Sequence, residues 1–259
     1  MGMLVEGKWQ EDGSRTKDGH FIRPSSVFRN FVTPDGSPGP TGKGGFKAEA
    51  GRYHLYISLA CPWAHRTLIF RALKKLGNVI TYTNSEPLYG KTGWEFGTAR
   101  GGMTDDVNHK ATLAEIYLIA DPHYTGRVSV PVLWDKKQHT IVNNESSEII
   151  RMLNSAFDEW GDAGLDFYPQ ALRGGIDAIN ALVYPAVNNG VYRAGFATTQ
   201  AAYEEAFGEL FSALDTLEER LSTQRYLVGE RITEADWRDR KSTRLNSSHV
   251  LRSRMPSSA

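Results

Sequence analysis

The chain has 259 residues, 40% of them hydrophobic and 23% charged, with 30 basic residues balanced by 30 acidic ones. That composition describes a soluble globular protein of one large or two ordinary domains, and the even charge gives no footprint for nucleic acid. No apolar run reaches membrane-spanning length, the N-terminus lacks a secretory apolar core, and one cysteine excludes an internal disulfide, which fits a reducing cytoplasm.

In chain order, residues 1–50 are polar and rich in Gly and Pro. They read as an extension wrapped on the surface rather than as a domain. The run from Gly36 to Gly45 has a superficial phosphate-loop look. However, Ser37 takes the place of the first glycine, Gly44 that of the metal-binding hydroxyl, and no buried strand precedes it, so a flexible loop is expected. Residues 53–58 alternate and are β-rich, predicting a strand. Residues 62–76 predict a helix with Ile69, Leu73 and Leu76 on one face and Lys74 and Lys75 outside. Residues 79–84 predict a second strand, parallel to the first.

A long insertion, 85–127, follows, with a short helix at about 113–119. Residues 128–135 and 140–143 predict a hairpin, and Asn144 is a candidate N-cap for a helix over 145–155. Pro131 is odd at the head of a strand, and a cis-Pro turn explains it. The order βαβ then ββα over 51–160 is that of a thioredoxin-like domain. From 165 to 238 the pattern turns helical. One helix is expected over 172–188 and another over 199–221, with Phe207, Leu210, Phe211, Leu214 and Leu217 forming its apolar stripe. Thr233 and Asp236 make a capping-box pattern for a further helix.

Cys61 stands at the first strand-to-helix junction, followed by Pro62, a favoured first-turn residue. A thiol there faces the positive end of the helix dipole and unpaired backbone N–H groups. Such surroundings lower a thiol pKa from about 8.5 into a range of roughly 3.5–7.5. The alternative is a small buried hydrophobe. A redox thioredoxin needs a nearby second cysteine to resolve its mixed disulfide, but Ala64 and His65 stand there and no other thiol exists. An external thiol must therefore resolve Cys61. His65, on the same helix, is expected to point away from the thiol. The seven histidines lack ligand spacing, so no metal is expected.

The last 21 residues, 239–259, have no apolar periodicity. Asp239 to His249 and Ser253 to Ala259 both translate back into a sequencing-library adapter, so this tail is expected to be non-native and the biological sequence to stop near Arg238. Without it, 25 basic residues face 29 acidic ones. The helical domain is then expected to be truncated, and this chain poorly stable and itself inactive.

The runs Ser58–Arg66, Ser129–Asp135, Asn143–Ile150 and Asn188–Tyr192 together resemble the glutathione transferases, and within them the xi-class glutathionyl-hydroquinone reductases, over about residues 15–238. The resemblance implies a thioredoxin-like α/β domain followed by an all-α domain. It implies glutathione as co-substrate without a metal, aromatic glutathionyl conjugates as substrates, and a cytoplasmic homodimer for the full-length form. It makes Cys61 the nucleophile and Tyr192 a hydrogen-bond donor to the aromatic substrate. Trp94, Arg127, Val130, Glu145 and Ser146 become the glutathione site. On the residues alone, Trp94 serves equally well for packing, Arg127 as a solvated loop charge, Glu145 and Ser146 as ordinary first-turn capping, and Tyr192 as core. The rivals are an omega-like cysteine transferase with thioltransferase or dehalogenase activity, a conjugating transferase, disfavoured because such enzymes carry Ser or Tyr where Cys61 sits, and a non-catalytic binding module.

Overall fold

The computed structural model describes residues 2–11 and 16–238; the adapter-like tail lies outside them. Contacts divide the described residues into two units, one of residues 2–11 and 24–166 and the other of 16–23 and 167–238.

The first unit is built on a four-stranded sheet in the order β6-β5-β7-β8. Its strands are β5 (Tyr53–Ile57), β6 (Thr81–Asn84), β7 (Val132–Asp135) and β8 (Thr140–Asn143). β5 pairs parallel to β6 and antiparallel to β7, and β7 pairs antiparallel to β8. All five residues of β5 are buried, because a central strand is covered on both faces. Its histidine, His54, is held between the hydroxyls of Thr81 (2.6 Å) and Thr83 (3.0 Å). Burial pushes the imidazole down to about 4, so it is neutral at physiological pH.

The predicted strand over 128–135 begins only at Val132, and the Val130–Pro131 peptide before it is cis. Helix α1 (Pro62–Leu73) crosses from β5 to β6 and packs against α3 (Ser146–Ser155); α2 (Leu113–Ala120) lies between them in sequence. α2 starts on a full capping box of Thr112 and Glu115.

Several expectations are corrected. The buried face of α1 is Trp63, Ala64, Arg66, Thr67 and Phe70, and Leu76 is buried beyond the helix end. Lys74, expected outside, is 1% exposed. Its ammonium donates to Asp158 Oδ1 (2.9 Å) and to the carbonyls of Asp162 (2.5 Å) and Leu165 (2.6 Å), so a satisfied cation takes a core position. The N-terminal stretch is more than a wrapping. Gly2–Val5 (β1) and Lys8–Glu11 (β2) form one hairpin, and Thr16–Lys17 (β3) and His20–Phe21 (β4) another. Phe31, Val32, Phe46 and Ala48 enter the core. Asn30 N–H donates to Val142 O at 3.0 Å, covering the open edge of β8. The glycine-rich loop is tied down, with Lys43 N–H on Asn30 Oδ1 (2.7 Å) and Thr41 Oγ1 on Arg29 O (2.6 Å). Gly42, at φ +78°, leaves only 2.4 Å between a would-be Cβ and Asn30 Oδ1.

The second unit is helical. The single helix expected over 172–188 is a 3₁₀ turn (Gln170–Leu172), α4 (Arg173–Val183) and a π turn (Tyr184–Asn188), leading into α5 (Gly190–Gly195). Pro185 lacks an N–H and cannot continue the α ladder, and Asn189 N–H reaches back to Tyr184 O at 3.0 Å instead. α6 (Gln200–Thr223) is N-capped by Thr199. Its buried positions are Ala202, Ala206, Leu210, Ala213 and Leu217, whereas Phe207 and Phe211 of the expected stripe are 41% and 44% exposed. Ile176, Val183, Val187, Leu210 and Leu227 are at the core of this unit. Asp236 accepts from both the N–H (2.7 Å) and the hydroxyl (3.0 Å) of Thr233, opening a helical turn at 234–238.

One buried ion pair locks the sheet. Arg52 forks onto Asp135 (Nε–Oδ1 3.0 Å, Nη2–Oδ2 2.5 Å), and Asp135, with no side-chain exposure, also accepts from Lys137 N–H at 2.8 Å. Replacing Asp135 by Asn leaves the guanidinium with Glu49 as its one remaining carboxylate, at 2.8 Å, and should lower unfolding free energy by about 1–3 kcal/mol in urea titrations. An unchanged midpoint would show that the pair adds nothing.

Candidate active site

The sheet register decides where Cys61 stands. β5 and β7 run antiparallel with Tyr56 opposite Val132, so the residues after β5 and those before β7 meet at the same sheet end. The chain leaves β5 through Ser58, whose hydroxyl accepts from Ala60 N–H (3.3 Å). Asn84 Oδ1, at the end of β6, accepts from Leu59 N–H at 2.9 Å. Cys61 follows as the N-cap of α1, with φ −99° and ψ 112° and Pro62 behind it. Its carbonyl receives the N–H groups of Ala64 (3.1 Å) and His65 (3.0 Å), which starts the helix. The half-buried sulfur therefore sits at the positive end of α1 and donates to Val130 O across 3.7 Å.

The second cluster lies at the start of α3. Glu145, rather than Asn144, is the N-cap, and its Oε1 accepts from Ser147 N–H (3.2 Å) and Ser147 Oγ (3.0 Å). Its Oε2 accepts from Ser26 Oγ at 3.0 Å. Burial pushes the Glu145 carboxyl up, but the Ser147 N–H, the Arg66 charge and the two serine hydroxyls outweigh it and hold the group below its ordinary value. Ser146, 3% exposed, accepts from Arg66 Nε (3.1 Å) and Nη2 (2.7 Å). Arg66 is 4% exposed, comes from α1 five residues after Cys61, and stacks on Trp63 at 5.0 Å. α1 thus carries the thiol at its tip and a guanidinium under the tip of α3.

Tyr117 joins the two clusters. Its fully buried phenol donates to Ser129 O (2.9 Å) and accepts from Ser129 N–H (3.3 Å) and Asn144 Nδ2 (3.0 Å). It thereby clamps the residue before Val130 to the residue before Glu145. Burial, partly offset by the Ser129 and Asn144 bonds, holds the phenol above its ordinary value. Asn144 Oδ1 in turn accepts from Phe28 N–H at 3.2 Å.

Of the expected site residues, Cys61 and Val130 are brought together, and Glu145 and Ser146 adjoin around Arg66. Trp94 and Arg127 lie on the insertion. Trp94 is half-buried and packs edge-on against Tyr89 at 5.1 Å, and its carbonyl receives Leu113 N–H at 2.8 Å. Arg127 is half-buried three residues before Val130, and its carbonyl receives Tyr124 OH at 3.1 Å. His65 is exposed. Tyr192 belongs to the second unit, on α5, within a cluster of Phe21 (6.4 Å) and Phe196 (6.1 Å), with Arg23 over its ring at 5.6 Å. Ser26, Arg66 and Tyr117 were not anticipated as site residues. Arg66 sits inside the Cys61 motif, which is the one signal that marked it.

Among the described residues no group of His, Cys, Asp and Glu could hold a metal ion, and no helix is long and apolar enough to cross a membrane.

Residues 60–156 match the profile of the glutathione S-transferase N-terminal domain, and residues 200–238 that of the C-terminal domain. The chain is 55% identical over 241 residues to the glutathionyl-hydroquinone reductase YqjG of Escherichia coli, covering 92% of this chain and 74% of that protein. It is 50% identical over 240 residues to the glutathionyl-hydroquinone reductase PcpF of Sphingobium chlorophenolicum, with the same coverage. The glutathione-bound structure of YqjG superposes with a TM-score of 0.84 at 51% identity, covering 93% of this chain and 73% of that one.

Removing the Tyr117 hydroxyl leaves a buried N–H and an amide without their acceptor. Tyr117→Phe should therefore destabilise the first unit by about 1–3 kcal/mol, read as a shifted denaturation midpoint; an unshifted midpoint would mean that the clamp is idle.

Proposed function

Since the chain belongs to the glutathione S-transferase family, in its glutathionyl-hydroquinone reductase branch, we propose that it reduces S-glutathionyl-hydroquinones to hydroquinones through a Cys61–glutathione mixed disulfide. The observation that carries this reading is the lone thiol at the N-terminus of α1, 3.7 Å from the Val130 carbonyl and without a resolving cysteine in the chain.

The Cys61 thiolate attacks the sulfur of the conjugate. The new S–S bond forms as the sulfur–ring carbon bond breaks, and that electron pair goes to the ring carbon, which takes a proton and leaves as hydroquinone. Cys61 is oxidised and the aromatic carbon reduced. A glutathione thiolate then attacks the glutathionyl sulfur of the mixed disulfide, restoring Cys61 and releasing glutathione disulfide. The N-terminus of α1 favours the thiolate at both stages, as attacking and as leaving group.

Glutathione is held at the α-carbon end of its γ-glutamyl group by both of that carbon's charges. The hydroxyl and backbone N–H of Ser146 take the α-carboxylate, and Glu145 takes the α-ammonium. Hydrogen-bond accounting supports that division. Glu145 Oε1 has both lone pairs engaged by Ser147, whereas Oε2 carries only Ser26, leaving room for one ammonium N–H. The Val130 backbone pairs with the cysteinyl part in the manner of an added strand, and Trp94 and Arg127 line the same ligand. Tyr192 donates to the quinol oxygen as charge develops there. Its cluster with Phe21 and Phe196 supports a flat aromatic partner. Aromatic glutathionyl conjugates as substrates, a cytoplasmic setting and a homodimer of the full-length form belong to the same proposal.

Cys61→Ser should reduce turnover of a glutathionyl-hydroquinone to the uncatalysed background in a coupled glutathione assay; equal rates for the two proteins would remove the mechanism. Glu145→Gln should weaken glutathione about 10- to 100-fold, the worth of one hydrogen bond to a charged group. Because the Glu145 carboxyl is held below 4.5, its charge is present at all higher pH and is lost only as pH falls through that depressed value. Calorimetric affinity for glutathione should accordingly be flat from about pH 8 to pH 5 and drop below, and a midpoint near neutrality would contradict the assignment.

A further inference from the structure

Arg66 is a buried cation that the reaction above does not use. Its Nε and Nη2 both point at one oxygen, Ser146 Oγ, at 3.1 and 2.7 Å, and both residues are almost fully buried. A hydroxyl has two acceptor lone pairs and one proton. With both lone pairs taken by the guanidinium, Ser146 can act toward any further group only as a donor. The guanidinium also adds a positive charge beneath the first turn of α3, where it helps hold the Glu145 carboxyl below its ordinary value. Glu145, in contrast, supplies a fixed negative charge one residue away. The site is therefore a matched pair of charges, plus under Ser146 and minus at Glu145.

We propose that Arg66 is a positioning residue. It fixes the Ser146 hydroxyl as a donor and makes the site select a ligand end that carries an α-carboxylate beside an α-ammonium. This rests on the reading of Glu145 and Ser146 as the γ-glutamyl handle. A lysine cannot reproduce the effect in full, because an ammonium is a point charge without the planar fork that chelates one oxygen through two N–H groups.

Calorimetry on the full chain tests this with two probes, glutathione and 4-aminobutanoyl-cysteinyl-glycine, which lacks the α-carboxylate but keeps the amine. Wild type should prefer glutathione by more than about 10-fold. Arg66→Met should weaken glutathione by about 10- to 100-fold while changing the analogue little, so that the preference collapses. Arg66→Lys should restore part of it. In a Ser146→Ala background the Arg66→Met penalty should shrink, because both act through one hydroxyl. Circular dichroism melts identify folded variants. Should Arg66→Met fail to fold, Arg66→Lys and Ser146→Ala carry the test through the same preference. An unchanged preference in folded Arg66 variants would overturn the inference alone. Absence of glutathione binding by wild type would overturn the γ-glutamyl reading and the inference with it.

Discussion

The antiparallel register of β5 against β7, with Tyr56 opposite Val132, fixes the sheet end at which the thiol can stand and gives it a backbone carbonyl as neighbour. The other features of the site depend on this pairing. α1 can begin only where β5 ends, so its positive end points at Cys61. α3 can begin only where β8 ends, and β8 is placed by its pairing with β7. Packing of α1 on α3 then brings Arg66 beneath Ser146. The Arg52–Asp135 pair stabilises the far end of the same two strands, where Tyr53 faces Asp135.

This arrangement divides the chemistry cleanly. The thiol end of the site is a helix terminus and a carbonyl, which suits sulfur exchange. The α3 end carries the Arg66 and Glu145 charges and a serine hydroxyl held as a donor, which suits a zwitterionic ligand. Tyr117 keeps the two ends at a constant spacing by holding Ser129 and Asn144 on one phenol. The N-terminal segment contributes to the same end, since Ser26 supplies a hydrogen bond to Glu145 and Phe28 one to Asn144. A stretch that reads as mere wrapping is therefore part of the support for the site.

The sequence marks those parts whose signal is local. Cys61 before Pro62, Pro131 at a strand head, and an acid and a serine opening a helix each carry their reason within a few residues. The parts it hides depend on partners far along the chain. Lys74 looks like a solvated charge on an amphipathic helix and Arg66 carries no sign of its role, yet their partners, residues 158–165 and Ser146, are 80 or more positions away. Periodicity puts Phe207 and Phe211 with the core stripe of α6, but the helix packs through alanines and leaves those rings exposed, since close helix approach favours small residues. Pro185 breaks the helix expected over 172–188 into an α segment and a π turn, and that breaker is visible in the sequence.

The central claim is that Cys61 passes through a mixed disulfide which only external glutathione resolves. Intact-protein mass spectrometry after mixing the protein with a glutathionyl-hydroquinone, free glutathione being withheld, tests it most directly. One glutathionyl group should appear on Cys61 with release of one equivalent of hydroquinone, and it should vanish when glutathione is added. Hydroquinone release without that adduct, or an adduct that glutathione leaves in place, would contradict the account.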